Sequence, residues 1–482
     1  MKITTIFHDE DDTETAGTPR QTYTKDPKYH PFMAQREYMK ALNFTKVERM
    51  LAKPFVKAYS DPREGIVKVK SHKKMDRILC SSYDGSVYLY DIGKKEYLSK
   101  YTASSDDVKS TNNLNNIELE KDLDGILIEP EENNLILDSE EEEEEDWAKY
   151  TEKDKDILFT NKINTTYGNN CSKGVAFLDS KILVSCQKNL HFLDSLMTKK
   201  LHNYEVEGFI NDLDTCNNEN VLISSTKGLE TFNIGNLQPK MNFSGINNSS
   251  CAVFNSDSSL IATTNGTTLT LIDNKVEKDF FSSNIGVKTN SISFSPLGTY
   301  FVTGNEDGNA YLHDLRYLNN IFGTFRHHVN AVTSVDYHPN GKEIVTGSYD
   351  KTIRIFNTKD KKSRDVYYNK RMNHVNAVCY NKSGTRIFSG SDDGSLRVWR
   401  SVASLKDNIS FKEKASIKYG KLLKDKYKHV EEIKRIEKHR FLPKQLKGHM
   451  KQKHEMYQAQ LRRQQKSNEK NHDHLDWKKL DE

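Results

Sequence analysis

Histidine pairs are the first candidates for chemistry in this chain of 482 residues. His327-His328 and His472-Asp473-His474 each bring imidazoles close together, but a second set of ligands at the spacing of a zinc site is missing. The chain also has no Gly-rich phosphate loop that ends in Lys-Ser/Thr and no Gly-x-Ser-x-Gly elbow. We therefore predict that the protein is not an enzyme and that it has no catalytic residue, no metal site and no cofactor.

The six cysteines favour a reduced, buried state, because they show no close-paired spacing and most of them fall in strand-like segments. They are Cys80, Cys171, Cys186, Cys216, Cys251 and Cys379. No apolar run approaches the length of a membrane span, and the first residues lead into acids instead of an apolar secretory segment. These features predict an intracellular protein with no membrane partner and no small-molecule substrate.

Four aspartates, Asp84, Asp307, Asp350 and Asp393, recur at the same kind of tight turn between two strand-like segments. We predict that each carboxylate is structural: it accepts backbone or histidine hydrogen bonds and holds a hairpin. His328 stands ahead of the first strand of its repeat, where it would supply such a bond. His374 lies about three residues out of register with it, so the same bond is not predicted there.

Charge is strongly segregated along the chain, although the net charge is only +4. Fifteen acids and one lysine lie between Glu118 and Asp146, whereas residues 401–482 contain 22 Lys or Arg against 12 acids. Basic arms of this kind fit an anionic partner, and RNA phosphates are one such partner. A solvated basic helix is the alternative interpretation of the tail.

The elements that would position these residues repeat with a period near forty. Each repeat reads strand, turn, strand and closes on a dipeptide, the seven dipeptides being Tyr90-Asp91, Leu193-Asp194, Phe232-Asn233, Ile272-Asp273, His313-Asp314, Phe356-Asn357 and Trp399-Arg400. This period and signature are typical of WD40 blades, and seven copies are enough to close a ring. The strand-like segment Phe55 to Tyr59 is predicted to supply the outermost strand of the last blade, since an open ring would expose a sheet edge.

The predicted fold is therefore all-β: a seven-bladed WD40 β-propeller with an N-terminal helical arm and a basic helical C-terminal extension. We expect a disordered N-terminus at 1–27, the arm at 28–53, the propeller at 54–400 and the basic C-terminal domain at 401–482. An acidic insertion at about 100–165, which includes Glu140 to Glu145, would separate blades 1 and 2. The arm either lies on the ring or docks a partner, and helices are predicted at 417–427 and 431–440 in the tail.

The two ends of the chain resemble a known family. Its N-terminal signature is matched by His30-Pro31-Phe32, Arg36-Glu37-Tyr38, Lys40-Ala41-Leu42-Asn43 and Ala52-Lys53-Pro54-Phe55-Val56, and its C-terminal domain by Glu432-Ile433-Lys434-Arg435-Ile436 and Lys438-His439-Arg440. The chain is identified by these residues as a member of the suppressor-of-fibrillarin (Sof-type) WD40 family. The resemblance implies a non-enzymatic scaffold of the small-subunit processome in the nucleolus. It also implies a role in pre-rRNA processing and maturation of 18S rRNA.

The partners implied by this resemblance are pre-ribosomal RNA, a small nucleolar RNA particle and other processome proteins. The candidate RNA- or partner-binding residues are Arg36, Lys40, Lys46, Arg49 and Lys53 in the arm, and Lys434, Arg435, Lys438, His439, Arg440 and Lys444 in the tail. The alternative function is a substrate receptor of a cullin-RING ubiquitin ligase. Some WD40 proteins that resemble this family are thought to dock through an Asp-x-Arg motif, which Asp314-Leu315-Arg316 matches.

Overall fold

The structure is a computed structural model that describes residues 32–94, 96–102, 172–178, 181–216, 220–233, 238–243, 248–276, 278–318, 320–360, 363–405, 409–440 and 442–477. The predicted disordered N-terminus and most of the acidic insertion, with Glu140 to Glu145, lie outside the described residues. The same holds for Cys171 and for the side chains of His472, Asp473 and His474.

Seven antiparallel sheets of four strands each form the body of the protein. In chain order the strands are β1 Phe55–Tyr59, β2 Ile66–Ser71, β3 Arg77–Ser82, β4 Ser86–Asp91, β5 Glu96–Thr102, β6 Val175–Phe177, β7 Lys181–Cys186, β8 Asn189–Asp194, β9 Lys200–Glu205, β10 Ile210–Cys216, β11 Asn220–Ser225, β12 Leu229–Asn233, β13 Gln238–Phe243, β14 Cys251–Phe254, β15 Leu260–Asn265, β16 Thr268–Asp273, β17 Lys278–Asn284, β18 Thr289–Phe294, β19 Tyr300–Asn305, β20 Asn309–Asp314, β21 Ile321–Arg326, β22 Val332–Tyr337, β23 Glu343–Ser348, β24 Ile353–Asn357, β25 Ser363–Tyr367, β26 Val375–Tyr380, β27 Arg386–Ser391 and β28 Leu396–Arg400. Blades 1 to 6 are the successive sets of four from β2 to β25.

The predicted seven-bladed propeller is confirmed, and so is the repeat that predicted it. Every closing dipeptide is the end of the third strand of a blade, from Asp91 at the end of β4 to Arg400 at the end of β28. Blades 2 and 3 contain four strands each, although their turn signatures are degenerate in the sequence. The second and third strands of these blades are nearly continuous buried runs, and the blades form without the acidic turn.

The ring closes between its two ends, as predicted. Strand β1 pairs antiparallel with β28, with Ala58 opposite Arg397 and Tyr59 opposite Leu396. Blade 7 therefore combines one strand from the N-terminal side with three from the C-terminal side. The buried ring of Tyr59 also packs on Tyr90 of blade 1, with ring centroids 4.7 Å apart. This closure removes the free sheet edge that an open ring would present.

Side-chain hydrogen bonds join neighbouring blades, and the donor is the second residue of the first strand of a blade. Asn290 donates its side-chain amide to the carbonyl of Val332 at 2.9 Å, and Asn376 donates to that of Ile66 at the same distance. Close packing completes the contact: a Cβ added at Gly390 would meet Ile66 Cγ2 at 2.4 Å, so only glycine fits there. The sheets are thus held rigidly around a central channel.

Four helices lie outside the ring in the described part of the chain: α1 Met33–Arg49, α2 Phe411–Lys426, α3 Glu431–Glu437 and α4 Lys444–Trp477. Helices α2 and α3 correspond to the two predicted in the tail, with boundaries that differ by up to six residues at the start of α2. Helix α4 has no predicted counterpart. Among the described residues, no helix has both the length and the apolar content that crossing a membrane requires.

Candidate interaction surface

The arm helix packs on the tail helices, although these segments lie at opposite ends of the chain. Ala41 and Leu42 of α1 form one buried apolar cluster with Leu423 of α2 and with Ile433 and Ile436 of α3. Burial of one Leu or Ile side chain contributes about 1.5–3 kcal/mol to the free energy of folding. We call α1, α2 and α3 together the helical cluster. No pattern in the sequence indicates that the arm and the tail pack on each other.

Charged side chains reinforce this packing at its rim. Lys424 lies 2.8 Å from Glu48 of α1 and 3.3 Å from Glu437 of α3, so one ammonium group joins all three helices. Lys426 pairs with Glu37 at 2.6 Å. The hydrogen bond from Lys426 lowers the pKa of Glu37, with a further contribution from the Tyr427 hydroxyl. The cluster therefore uses part of the basic charge of the tail internally.

Two of the predicted binding residues attach the helical cluster to blade 6 instead of facing solvent. Arg49 forms an ion pair with Asp365 and donates to the carbonyl of Arg364 at 3.1 Å. Arg440 donates to the carbonyl of Ser363 at 3.2 Å, and burial lowers the pKa of its guanidinium group. The donors of these two arginines are engaged within the protein, and their predicted role in binding a partner stays a prediction.

Most of the other predicted binding residues are exposed on the same unit. His439 is half-buried beside Arg440. The exposed cations are Arg36, Lys40, Lys46 and Lys53 in the arm and Lys434, Arg435, Lys438 and Lys444 in the tail. We call these eight residues the basic surface. The fold brings them from two distant parts of the sequence to the helical cluster and the segments that adjoin it, since Lys53 follows α1 and Lys444 begins α4.

Helix α4 leaves this unit and docks on the ring between blades 5 and 6. Lys453 donates to the carbonyls of His328 and Asp307 at 2.9 and 3.2 Å. The guanidinium of Arg326 lies 4.5 Å from the centre of the Tyr457 ring, a cation–π contact. A cavity of about 550 Å³ lies between the helix and the blades, and Met450 is one of the residues that line it.

The residues under α4 form the hydrogen-bonded core of blade 6. His328 donates from Nδ1 to Asp350 Oδ2 at 2.8 Å, and its Nε2 lies 2.7 Å from the hydroxyl of Thr346. Burial lowers the pKa of His328, so the imidazole is neutral at pH 7. Asp350 also accepts the backbone N–H of Thr352 at 3.0 Å. This arrangement holds the hairpin and leaves the imidazole no open side for a substrate.

The other turn aspartates accept the same local bond, from the backbone N–H two residues further on. The distance is 2.8 Å for Asp84, 2.9 Å for Asp307 and 3.2 Å for Asp393. His374 instead places Nδ1 2.7 Å from the carbonyl oxygen of Tyr349. All four carboxylates therefore have a structural role in their turns.

Comparison with known proteins agrees with this architecture. Residues 403–480 match the Sof1-like domain, and residues 281–314, 319–357 and 367–400 match the WD domain, G-beta repeat. Protein SOF1 of Saccharomyces cerevisiae is 30% identical over 464 residues, which cover 93% of this chain and 87% of the relative. Protein sof1 of Schizosaccharomyces pombe is 32% identical over 474 residues, which cover 96% and 94%.

The chain belongs to the Sof1 family. A relative from Xenopus laevis named DDB1- and CUL4-associated factor 13 is 27% identical over 457 residues, covering 93% of this chain and 89% of its own length. The Sof1-like domain of this chain contains α2, α3 and α4, the elements that form the tail half of the helical cluster and the docked helix.

The Asp-x-Arg motif of this Sof1-family chain forms an internal ion pair at the end of β20. The guanidinium of Arg316 donates to both oxygens of Asp314, from Nε at 3.1 Å and from Nη2 at 3.0 Å. Asp314 is buried, whereas the side chain of Arg316 remains 66% exposed. Tyr317 and Phe322 are exposed next to it. Arg316 is thus oriented by Asp314 and still accessible.

The central channel contains the other concentration of charge. Lys70 of blade 1 lies 3.3 Å from Asp214 of blade 3, and burial raises the pKa of Asp336 of blade 6 to about 6. Asp336 accepts the backbone N–H groups of Tyr380 and Tyr337 at 2.7 and 2.9 Å. In the described part of the chain, no group of three or more His, Cys, Asp or Glu is placed to hold a metal ion. These charges join blades, and we assign them no chemistry.

Proposed function

We propose that this Sof1-family protein is a non-enzymatic scaffold of the small-subunit processome in the nucleolus. In this role it supports pre-rRNA processing and maturation of 18S rRNA, and its partners are pre-ribosomal RNA, the small nucleolar RNA particle and other processome proteins. The observation that carries the proposal is the helical cluster, which is attached to the ring and displays, together with the adjoining Lys53 and Lys444, eight exposed cations.

A fixed basic surface suits this function better than two loose tails. Cations held on packed helices lose little conformational freedom when they meet phosphates, so less of the electrostatic gain is spent on ordering. The family membership supports the same function, since both yeast relatives carry the Sof1 name. The ring supplies seven blades whose connecting loops present further surfaces to neighbouring proteins.

Charge reversal on the tail part of the basic surface tests the proposal. We expect the variant Lys434→Glu, Arg435→Glu, Lys438→Glu to dissociate from large pre-ribosomal particles at lower salt than wild type and to accumulate 18S rRNA precursors in cells. Arg440 is left intact because it holds the cluster to blade 6. The matched control reverses three exposed lysines of the ring: Lys94, Lys199 and Lys200.

The amount of variant bound to pre-ribosomal particles and its unfolding temperature decide the outcome. Particle association that is equal in the triple variant and in the control contradicts a role for the basic surface. A variant that loses particles but unfolds at the wild-type temperature supports it, because the substituted side chains are exposed and make no contact that the ring needs.

A substrate receptor of a cullin-RING ubiquitin ligase is the second candidate function. It is favoured by the exposed Arg316, by the apolar side chains of Tyr317 and Phe322 beside it, and by the names of the animal relatives. On this alternative, Arg316→Ala abolishes a binary complex with DDB1 and leaves pre-ribosome association unchanged. On the scaffold proposal, the same substitution leaves 18S rRNA maturation intact.

A further inference from the structure

Helix α4 has a face that the ring does not use. Met450, Lys453 and Tyr457 contact blades 5 and 6, and their spacings of three and four residues place them on one side of the helix. Lys453 is nine residues from Lys444 and nine from Arg462, which is two and a half helical turns. The latter two side chains therefore point away from the ring.

Five cations line this outer face. We call Lys444, Lys447, Lys451, Arg462 and Lys466 the basic stripe, and all five are exposed. Their successive spacings of three, four, eleven and four residues keep them within about 50° of one line along the helix, with Lys447 and Lys466 at the two edges. At a rise of about 1.5 Å per residue, the basic stripe extends roughly 33 Å. Lys447, Lys451, Arg462 and Lys466 were not among the residues that the sequence singled out.

The neighbours of the basic stripe decide what kind of partner it fits. Glu455 is the one acid between residues 444 and 466, and it lies 3.7 Å from Lys451. No large apolar side chain lies on the same line, since Met450, Tyr457 and Leu461 share the docked side and Met456 lies to one side. Helices that bind proteins in grooves present an apolar face, which is missing here.

We infer that the basic stripe binds the sugar–phosphate backbone of RNA, independently of base sequence. A line of cations about 5–6 Å apart within each group matches the repeat of phosphates along a strand, and each contact releases counterions. The docked face keeps the helix straight and fixes its direction on the ring. The inference deepens the proposed function, on which its biological meaning rests, by extending the RNA contact from Lys444 of the basic surface along α4.

Binding of the full-length protein to RNA in solution tests the inference. The variant replaces Lys447, Lys451, Arg462 and Lys466 with Gln, which keeps helix propensity and avoids the residues that dock α4. The control replaces the exposed Lys94, Lys199, Lys200 and Lys275 with Gln. Fluorescence anisotropy measures the affinity for a 20-base-pair RNA duplex and for a 20-nucleotide single strand from 50 to 300 mM KCl, with poly-glutamate as a protein-like polyanion.

The expected result is a plot of log affinity against log salt that becomes shallower by about three, because four phosphate contacts are lost. At 0.1 M salt the affinity should fall about tenfold or more, while the control stays near wild type. An unchanged slope in the variant overturns the inference, and so does poly-glutamate binding that equals RNA binding. In either case, salt-sensitive particle loss in the Lys434, Arg435, Lys438 variant still leaves the proposed function standing.

Discussion

His313 occupies the position that an aromatic residue holds in several other blades. It is the last residue but one of the third strand of blade 5, as Phe356 and Trp399 are in blades 6 and 7. The imidazole stacks on Phe301 with ring centroids 4.7 Å apart, and its Nε2 lies 3.3 Å from the hydroxyl of Thr303. Burial lowers the pKa of His313 to about 4. A histidine here therefore links the stability of the ring to pH.

The sign of this linkage follows from the two protonation states. The unfolded chain takes up a proton at His313 near pH 6.5, whereas the folded ring resists it until about pH 4. The contribution of His313 to the free energy of unfolding is therefore fully present above pH 6.5, and it is lost as the pH falls towards 4. At pH 5 the loss from this one residue is about 2 kcal/mol.

We predict that His313→Trp reduces the pH dependence of unfolding. Trp399 donates its indole N–H to Ser389 at 2.8 Å, and Thr303 is placed to accept the same bond in blade 5. The free energy of unfolding should then fall by about 2 kcal/mol less between pH 7 and pH 5 than in wild type, measured by urea titration. The exposed His449→Gln serves as control. Equal pH dependence in wild type and His313→Trp contradicts the assignment.

At the scale of elements, the helical cluster and the ring behave as separate packing units. The ring core lies between blades, whereas the cluster core contains Ala41, Leu42, Leu423, Ile433 and Ile436. The contacts from the cluster to blade 6 are polar, through Arg49 and Arg440. Loss of the cluster core should therefore release the helices and leave the ring folded.

We predict that Ile433→Asp undocks the helices. A carboxylate at a fully buried site is costly, so α1 and α3 separate and trypsin cleaves the tail rapidly, while the main thermal transition of the ring is unchanged. Glu431→Asp, at an exposed position of the same helix, should show wild-type cleavage. If Ile433→Asp lowers the unfolding temperature of the ring while the tail stays resistant to trypsin, the cluster and the ring are not separate packing units.

The sequence predicted these elements to very different extents. The blades were readable because a two-residue alternation and a repeated turn occur every forty residues. The pairing of Lys424 with Glu48, 376 residues apart, has no such local signal. An apolar stripe shows that a helix is covered but not by which partner. Charge alone did not distinguish Arg49 and Arg440, which face inward, from Lys46 and Lys438, which face solvent.

The docking of helix α4 could not be predicted from the sequence either, because it depends on few and mostly polar contacts. Met450, Lys453 and Tyr457 are spaced for one face, but only Met450 has a purely apolar side chain. Lys453 is held by backbone carbonyls of the ring, whose direction depends on the fold of blades 5 and 6. A polar helix of this kind gives no sequence signal that separates it from a solvated one.

At the scale of the whole molecule, closure of the ring is the step that couples the two ends of the chain. Residues just after the arm form β1, and residues just before the tail form β28. Pairing of the two strands therefore brings the arm and the tail to the same side of blade 7. The two halves of the helical cluster are therefore held within reach of each other by the closed ring.

Two nested deletions separate the strand from the arm. We predict that removal of residues 1–53 abolishes the helical cluster but preserves β1, so the ring keeps its unfolding temperature. Removal of residues 1–60 also takes away β1 and leaves the edge of β28 unpaired, which favours association between chains. The burial of Tyr59 alone is worth about 2–3 kcal/mol, so the unfolding temperature should fall by roughly 5 °C or more. Scanning calorimetry and light scattering measure both effects, and equal behaviour of the two truncated chains contradicts closure by β1.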